Sequence, residues 1–285
     1  KVSVCWRFAA TPAPTFIGTI KRVKNAMNEG NKTITSKSLA AMVLAGLIAA
    51  ASPTDVSAAE VEGIPGSFSA NVGFVSEYMF RGISQTDDAP ALQGGFDYEL
   101  EVAKPVSLYL GIWGSNVDFN EASGVDGATL EMDFYGGLKG MIGSTGLSWD
   151  VGLIYYTYPG ADSTLDYDFL EVMGALGYDF GVASVTASLN YSPDNFGGSG
   201  AAFYPKLAVG VPISAVKGLS ASAYIAKQYI KNETLFGSPD YLEWNVGLSY
   251  TLAGFDFSLN YSDTDISPNA DGKKEAVIFG ISRSF

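Results

Sequence analysis

Apolar and polar residues alternate along short segments of the chain from Ser67 to its last residue. The stretch NVGFVSEYMFRGISQ, residues 71–85, shows this pattern. Glu77 and Arg81 stand on its polar parity. The other parity is apolar at Val72, Phe74, Tyr78 and Phe80, and Ser76 is its one polar exception. Such alternation is typical of a β-strand with one apolar face and one polar face.

Twelve such segments follow one another, the first at residues 67–81 and the last ending at Phe285. Tight connections, such as residues 253–254, take turns with longer polar ones. The longer connections fall near residues 82–90, 119–127, 159–165, 193–200, 230–239 and 263–273. Outer-membrane barrels have this rhythm of periplasmic turns and external loops. The sequence therefore predicts an all-β fold: a transmembrane antiparallel up-and-down β-barrel of about 12 strands, with both ends at the periplasmic side.

The direction of the apolar face separates two fold classes. In a soluble sandwich the apolar face forms the core, whereas in a membrane barrel it meets lipid and Glu77 and Arg81 line the interior. A sandwich with Greek-key connections gives no reason for short and long connections to alternate. A closed barrel also satisfies every backbone amide within lipid. The barrel is therefore the favoured interpretation.

Tyrosine and tryptophan recur near the ends of the segments. Rings of this kind form girdles at the two membrane interfaces, although aromatic residues favour strands in any sheet. The predicted girdle residues are Tyr78, Tyr98, Trp149, Tyr158, Tyr191, Tyr229, Trp244 and Tyr261.

The polar parity of the segments supplies candidate pore-lining residues. They are Glu77, Arg81, Asp97, Glu99, Glu101, Glu131, Asp133, Lys139, Asp150, Glu171, Lys206, Lys227, Glu243, Asp256 and Arg283. Carboxylates dominate this set, and rings of carboxylates favour cations in pores. A weak cation preference is one interpretation; the other is that these charges pair and fill a narrow lumen. Arg81, with Glu77 and Asp97, is the predicted lumen determinant near the outer half of the first hairpin.

The N-terminal part of the chain looks like a targeting segment. The apolar run LAAMVLAGLIAA, residues 39–50, suits the core of a secretory signal and is too short to span a membrane as a helix. The single cysteine, Cys5, precedes it, so the exported part has no disulfide. The predicted segments are an upstream extension, a signal peptide and the barrel, at residues 1–26, 27–59 and 60–285.

The composition excludes several function classes. The chain has no histidine, so it lacks the imidazole base of most hydrolases and the usual ligands of zinc. Residues 116–127 have the composition of a calcium loop without its spacing. We therefore expect no enzyme, no cofactor and no metal site. Residues 60–285 contain 10 basic and 28 acidic residues, which argues against nucleic-acid binding.

Three stretches resemble one known family. They are YMFRGISQT, PALQGGFDYE and LGIWGSNVDF, at residues 78–86, 90–99 and 110–119. They resemble the TorF-like porin family of proteobacterial outer-membrane proteins, and the resemblance runs from about residue 67 to the end. It implies a β-barrel porin, and it brings no substrate and no catalytic residues. The ending VIFGISRSF resembles the terminal signal of outer-membrane proteins, with Phe285 as the assembly signal and Arg283 as a departure from its pattern.

The expected function is a porin-like channel of the Gram-negative outer membrane for passive diffusion of small hydrophilic solutes. The expected partners are these solutes, outer-membrane lipids with lipopolysaccharide, and the barrel assembly machinery. The alternative is a non-conducting structural or adhesive barrel that acts through its acidic external loops. Current through a planar bilayer distinguishes the two.

Overall fold

A computed structural model describes residues 63–120, 125–266 and 275–285 of the chain. The predicted upstream extension, residues 1–26, and the predicted signal peptide, residues 27–59, lie outside this description. No helix of the described residues has the length and apolar character needed to cross a membrane.

Most of the described residues lie in β-strands. In chain order these are β1 (Ser67–Val75), β2 (Met79–Phe80), β3 (Ile83–Ser84), β4 (Ala91–Ala103), β5 (Val106–Asn116), β6 (Leu130–Met141), β7 (Leu147–Thr157), β8 (Phe169–Asp179), β9 (Ser184–Asn195), β10 (Gly200–Pro212), β11 (Leu219–Ile230), β12 (Tyr241–Leu252), β13 (Phe255–Thr264) and β14 (Glu275–Ser284). One short helix, α1 (Glu233–Phe236), lies between β11 and β12.

Twelve of these strands close into one antiparallel barrel. Each pairs with its neighbours in the sequence, and β1 closes the ring by pairing with both β14 and β4. The remaining two, β2 and β3, pair only with each other. An even number of strands brings both ends of the barrel to one rim. The closed barrel of twelve antiparallel strands confirms the predicted fold class and strand number.

The two rims differ in their connections. At one rim the connections are tight, such as residues 104–105 and 253–254, and both ends of the barrel lie here; we call it the turn rim. The other, the loop rim, carries the longer connections predicted from the sequence. One of those is shorter than expected, because β9 and β10 continue to a single turn at Phe196–Gly198.

The apolar parity faces outward. On β12, Val246 and Leu248 are 56% and 47% exposed, whereas Glu243 and Asn245 beside them are buried. A soluble protein does not expose so continuous an apolar surface, and a lipid-facing one does. On β5, Leu110 faces outward and Trp113 inward.

The first predicted strand is wrong beyond Val75. Ser76 still pairs with β14, because its N–H bonds the Phe279 carbonyl at 2.8 Å and its hydroxyl accepts the Phe279 N–H at 3.0 Å. The chain then leaves the wall, and Tyr78 is 1% exposed rather than lipid-facing. Polar Ser76 interrupts the outward apolar row at this point.

Candidate functional site: the barrel interior

A short hairpin occupies the interior near the loop rim. It consists of β2 and β3, and Arg81 and Gly82 form its two-residue turn with φ of 54° and 82°. Two positive φ angles in succession define the tight hairpin turn that matches the twist of its strands. The stem is fixed by bonds from Gln85 N–H to the Tyr78 carbonyl, 2.8 Å, and from Tyr78 N–H to the Thr86 hydroxyl, 3.1 Å.

Arg81 fastens the tip of the hairpin to the far wall of the barrel. Its guanidinium donates to Glu171 Oε2 on β8 at 2.7 Å and to Gln228 Oε1 on β11 at 3.1 Å. The same group lies 4.2 Å from the centre of the Tyr204 ring on β10. The Arg81 carbonyl accepts from the Tyr241 hydroxyl on β12 at 2.9 Å. Charge-assisted bonds to several strands hold the tip in one place.

Gly82 lets the tip approach the wall closely. A side chain at this position would meet Thr264 on β13 and Glu243 on β12. The positive φ of Gly82 also favours glycine. The RG pair at residues 81–82 was therefore the available sequence signal for an inserted hairpin.

Aromatic rings fill the space between the hairpin and the loop rim. Phe80 meets Tyr156 edge-on at 5.5 Å, and Tyr156 stacks on Phe169 at 4.4 Å. A cavity of about 10 Å³, enough for one water molecule, remains here. It is lined by Phe80, Arg81, Tyr158, Phe169, Asn195, Phe196, Gln228, Phe236 and Tyr241. The half of the barrel nearer the loop rim is therefore narrow.

A second group of polar side chains lies on the interior wall nearer the turn rim, on β4 to β7. Lys139 Nζ lies 3.4 Å from Glu99 Oε2. On either side, the Tyr135 hydroxyl donates to Asp97 at 2.6 Å and the Tyr109 hydroxyl to Asp150 at 2.8 Å. We call these six residues the wall cluster. The wall cluster contains one lysine and three carboxylates.

Glycines on neighbouring strands let the two tyrosines of the wall cluster lie against the wall. The Tyr135 ring lies where a side chain of Gly111 would stand, and the Tyr109 hydroxyl does the same at Gly137 and Gly152. Each tyrosine thus crosses a glycine on the neighbouring strand to reach its carboxylate. The glycines are needed here because any Cβ would push these rings into the lumen.

A third group surrounds Glu243, which is fully buried on β12. Its carboxylate accepts from the hydroxyls of Tyr204, at 2.5 Å, and Tyr224. Lys206 lies over the same two rings, at 5.9 and 5.3 Å from their centres. The interior tyrosines therefore solvate charges as well as fill space.

Most of the predicted pore-lining residues face the interior. These are Arg81, Asp97, Glu99, Glu131, Asp133, Lys139, Asp150, Glu171, Lys206, Glu243 and Asp256. Glu101 has the interior parity but is exposed at the turn rim, 3.8 Å from Lys104. Glu77 lies in the bend before the hairpin. The structure does not group Asp97 with Arg81, since Asp97 belongs to the wall cluster.

Four predictions of side-chain direction are wrong. Lys227 is outward, beside the exposed Tyr229 ring at 4.7 Å, because interior-facing Ala226 and Gln228 flank it. Arg283 is also outward, near Phe285. Tyr78 and Tyr158 are buried instead of lying in the girdles. Tyr78 follows β1 after the chain has left the wall, and Tyr158 continues the interior parity of Tyr156 just past the end of β7.

The residues that receive the hairpin were not predicted from the sequence. Gln228, Tyr204 and Tyr241 all stand on the interior parity of their strands, so parity was the only signal for them. Nothing in the sequence indicates that they meet Arg81, which lies more than a hundred residues earlier.

Carboxylates at the loop rim bind the backbone of their own loops. Asp168 accepts from Tyr158 N–H at 2.9 Å, Asp240 from Ile230 N–H at 2.8 Å and Asp265 from Leu242 N–H at 2.7 Å. The N–H and hydroxyl of Thr164 lower the pKa of Asp162 by binding its charged form. These carboxylates shape the loops.

Phe285 ends the last strand at the turn rim, with 54% of its side chain exposed. Its backbone exchanges two hydrogen bonds with Ala70, at 2.8 and 3.2 Å. The ring therefore stands on the outside of the closing strand pair, while its role as an assembly signal stays a prediction.

Comparisons with known proteins agree with this architecture. The family model described as "Bacterial protein of unknown function (Gcw_chp)" matches residues 59–285, so the chain belongs to that family. The comparison with curated proteins found no match.

Among solved structures, the chain is similar to the COG4313 outer membrane channel from Pseudomonas putida F1, with 12% identity, a TM-score of 0.51, and 82% of this chain and 99% of that chain covered. It is also similar to a structure described under "Unveiling the Mechanism Behind the in-meso Crystallization of Membrane Proteins", with 8% identity, a TM-score of 0.50, and 76% and 83% covered. At these identities the likeness shows the fold, that of outer-membrane β-barrels.

Proposed function

We propose that this member of the Gcw_chp family is a porin-like channel of the Gram-negative outer membrane, through which small hydrophilic solutes diffuse. The observation that carries the proposal is the opposition of the two barrel faces. Exposed apolar side chains surround the barrel, whereas charged and hydroxyl side chains cover its inner wall. A polar lumen inside an apolar band is the arrangement of a diffusion channel.

The β2–β3 hairpin is the constriction of this channel. It narrows the lumen near the loop rim, which faces the cell exterior in such barrels. The hairpin is held by a few polar contacts of Arg81, rather than by the backbone ladder of the barrel. A solute would therefore pass where the hairpin and the far wall meet, and then along the wall cluster.

The charge of the interior favours cations. Among the interior-facing side chains of the described residues, the basic ones are Arg81, Lys139 and Lys206. The acidic ones are Asp97, Glu99, Glu131, Asp133, Asp150, Glu171, Glu243 and Asp256. Carboxylates in excess inside a narrow lumen raise the local concentration of cations. The resemblance to TorF-like porins agrees with a channel and adds no solute.

A second candidate is a barrel that does not conduct. The narrow region around Arg81 favours it, because a cavity beside the tip has room for only about one water molecule. Such a barrel would act through its acidic external loops, on lipopolysaccharide or other surface partners. The loop carboxylates that bind their own backbone support this candidate less well, since those oxygens are already engaged.

Current through a planar bilayer tests the channel. The sample is first shown to be folded by its different gel mobility before and after boiling. We expect discrete current steps that carry more cation than anion. A folded sample that gives no current, both unchanged and with the hairpin removed as described below, would rule out the channel and leave the non-conducting barrel.

A further inference from the structure

Asp133 on β6 is a buried carboxylate whose Oδ1 has no hydrogen-bond partner within the described part of the chain. Its side chain faces the interior and is 7% exposed. Within the described residues no hydrogen bond reaches its Oδ1, or Oε2 of Glu131 on the same face. The guanidinium of Arg81 is bound to Glu171. Burying a charged group without a partner is costly, so this position calls for a cation that the wall itself does not supply.

Aromatic rings enclose these two carboxylates. Trp113 on β5 and Tyr156 on β7 are the direct cross-strand partners of Asp133, and both side chains face the interior. Directly paired side chains on one face lie about 5 Å apart at their Cβ atoms. From the hairpin stem, Tyr78 donates to Glu131 Oε1 at 3.0 Å, and its ring meets Trp113 edge-on at 5.6 Å.

We propose that Asp133 and Glu131, together with the rings of Trp113 and Tyr156, bind the ammonium group of a small organic cation. An ammonium group offers N–H donors to the two carboxylates and a positive charge to the aromatic rings. This inference names a class of solute for the proposed channel. Transport of the cation rests on that proposed function, whereas binding of the cation does not.

Other cations fit this position less well. Calcium and magnesium take six or more oxygen ligands, and no group of three or more acidic residues in the described parts of the chain is arranged to hold a metal ion. An alkali-metal ion finds the two carboxylates but gains little from giving up its water for indole and phenol rings. An alkylammonium ion uses both kinds of group.

The position of the site relates it to the constriction. Tyr78 bonds Glu131 through its hydroxyl, and its backbone belongs to the stem of the hairpin. An organic cation bound between Asp133 and Glu131 therefore lies directly beside the segment that narrows the lumen. Cationic solutes would pause here before they pass the tip.

Calorimetric titration of the full chain, folded in detergent, tests the site. Propylammonium chloride is titrated at constant ionic strength, with sodium chloride replaced step by step. We expect saturable binding to the unchanged protein and a loss of about tenfold or more in affinity for Asp133→Asn. The control is Asp256→Asn, which removes another buried interior carboxylate, one already bound to Thr251 at 2.5 Å. This variant should bind as the unchanged protein does.

Three results would overturn the proposal: equal affinity in Asp133→Asn, an equal response to potassium chloride, or no saturable binding. The last would mean that the two carboxyls are neutralised by protons. Where Asp133→Asn fails the gel-mobility check for folding, Glu131→Gln takes its place with the same expectation. Bilayer current from the same sample separates the two proposals. Binding without current removes the channel and keeps the site, and current without binding removes only the site.

Discussion

Arg81 and Glu171 form a 2.7 Å ion pair that joins the tip of the β2–β3 hairpin to the facing wall of the barrel. Both side chains are almost fully buried. Arg81 follows β1, which pairs with β4, and Glu171 belongs to β8, several strands away on either path around the barrel. This ion pair is thus one of the contacts that hold a hairpin outside the barrel ladder. The pair is therefore the natural place to loosen the constriction.

Replacing Arg81 by alanine should open the constriction and destabilise the barrel. The change removes the bonds to Glu171 and Gln228 and leaves a buried carboxylate without its cation, which costs about 3–5 kcal/mol. We expect larger or more frequent current steps and a lower temperature at which the folded gel band is lost. Arg81→Lys should fall between, because an ammonium group cannot reach both acceptors in a fork.

The double variant Arg81→Ala with Glu171→Gln is the control for stability. It removes the stranded charge but still frees the hairpin, so stability should recover while the current stays high. If the single variant matches the unchanged protein in both measurements, Arg81 does not hold the hairpin.

Removing the whole hairpin should enlarge the channel without breaking the barrel. Val75 and Ala91 are direct partners at the loop ends of β1 and β4, so a two-residue Asn-Gly turn can replace residues 76–90. We expect a folded protein with several-fold higher conductance, measured in planar bilayers. Shortening the turn between β10 and β11, residues 213–218, which lies at the turn rim and adds no strand inside the barrel, should change conductance little. A folded variant whose conductance equals that of the unchanged protein would show that the hairpin does not limit the path.

Residue parity predicted the wall of the barrel because strand geometry is local. On β12 the alternation from Tyr241 to Leu252 is enough to assign each side chain to a face, and the structure confirms it. The same rule failed after Val75, where the apolar positions Tyr78 and Phe80 continue the alternation although the chain has left the sheet. Periodicity describes a strand and cannot tell which sheet the strand joins.

The contacts of the interior could not be predicted in this way. Parity placed Glu171 and Glu243 inside, but their partners are chosen by the closure of the barrel and the path of the hairpin. The Arg81–Glu171 pair spans 90 residues, and no spacing in the sequence encodes it. The tyrosines of the wall cluster reach carboxylates two strands away, which depends on the glycines between them.

Reversing charge on the wall cluster should change ion selectivity. Asp97→Lys with Glu99→Lys converts two interior carboxylates of the wall cluster to cations. We expect the reversal potential in a salt gradient to shift toward anions, because the interior loses most of its excess of negative charge. Lys227→Gln on the outer face is the control and should leave the reversal potential unchanged. Unchanged selectivity in the double variant would place the conducting path elsewhere.

Filling the space beside Tyr135 should destabilise the barrel. In the unchanged protein the Tyr135 ring lies over Gly111 and its hydroxyl bonds Asp97 at 2.6 Å, so Gly111→Ala forces the ring off the wall. Overpacking of this kind costs about 1–3 kcal/mol, and the displaced ring also leaves Asp97 without its donor. We expect a lower temperature for loss of the folded gel band and a narrower lumen with smaller current steps.

Gly174→Ala is the matched control for that change. Gly174 also lies in the middle of a wall strand, and a Cβ there meets no atom within 4 Å. Alanine should be neutral or slightly stabilising at this position, since glycine weakens a strand by about 0.5–1 kcal/mol relative to alanine. Equal stability of the two variants would mean that the Tyr135 ring moves freely and that its position against the wall does not depend on Gly111. If Tyr135→Phe alone lowers stability as much as Gly111→Ala does, the lost hydroxyl bond to Asp97 accounts for the larger part of the effect.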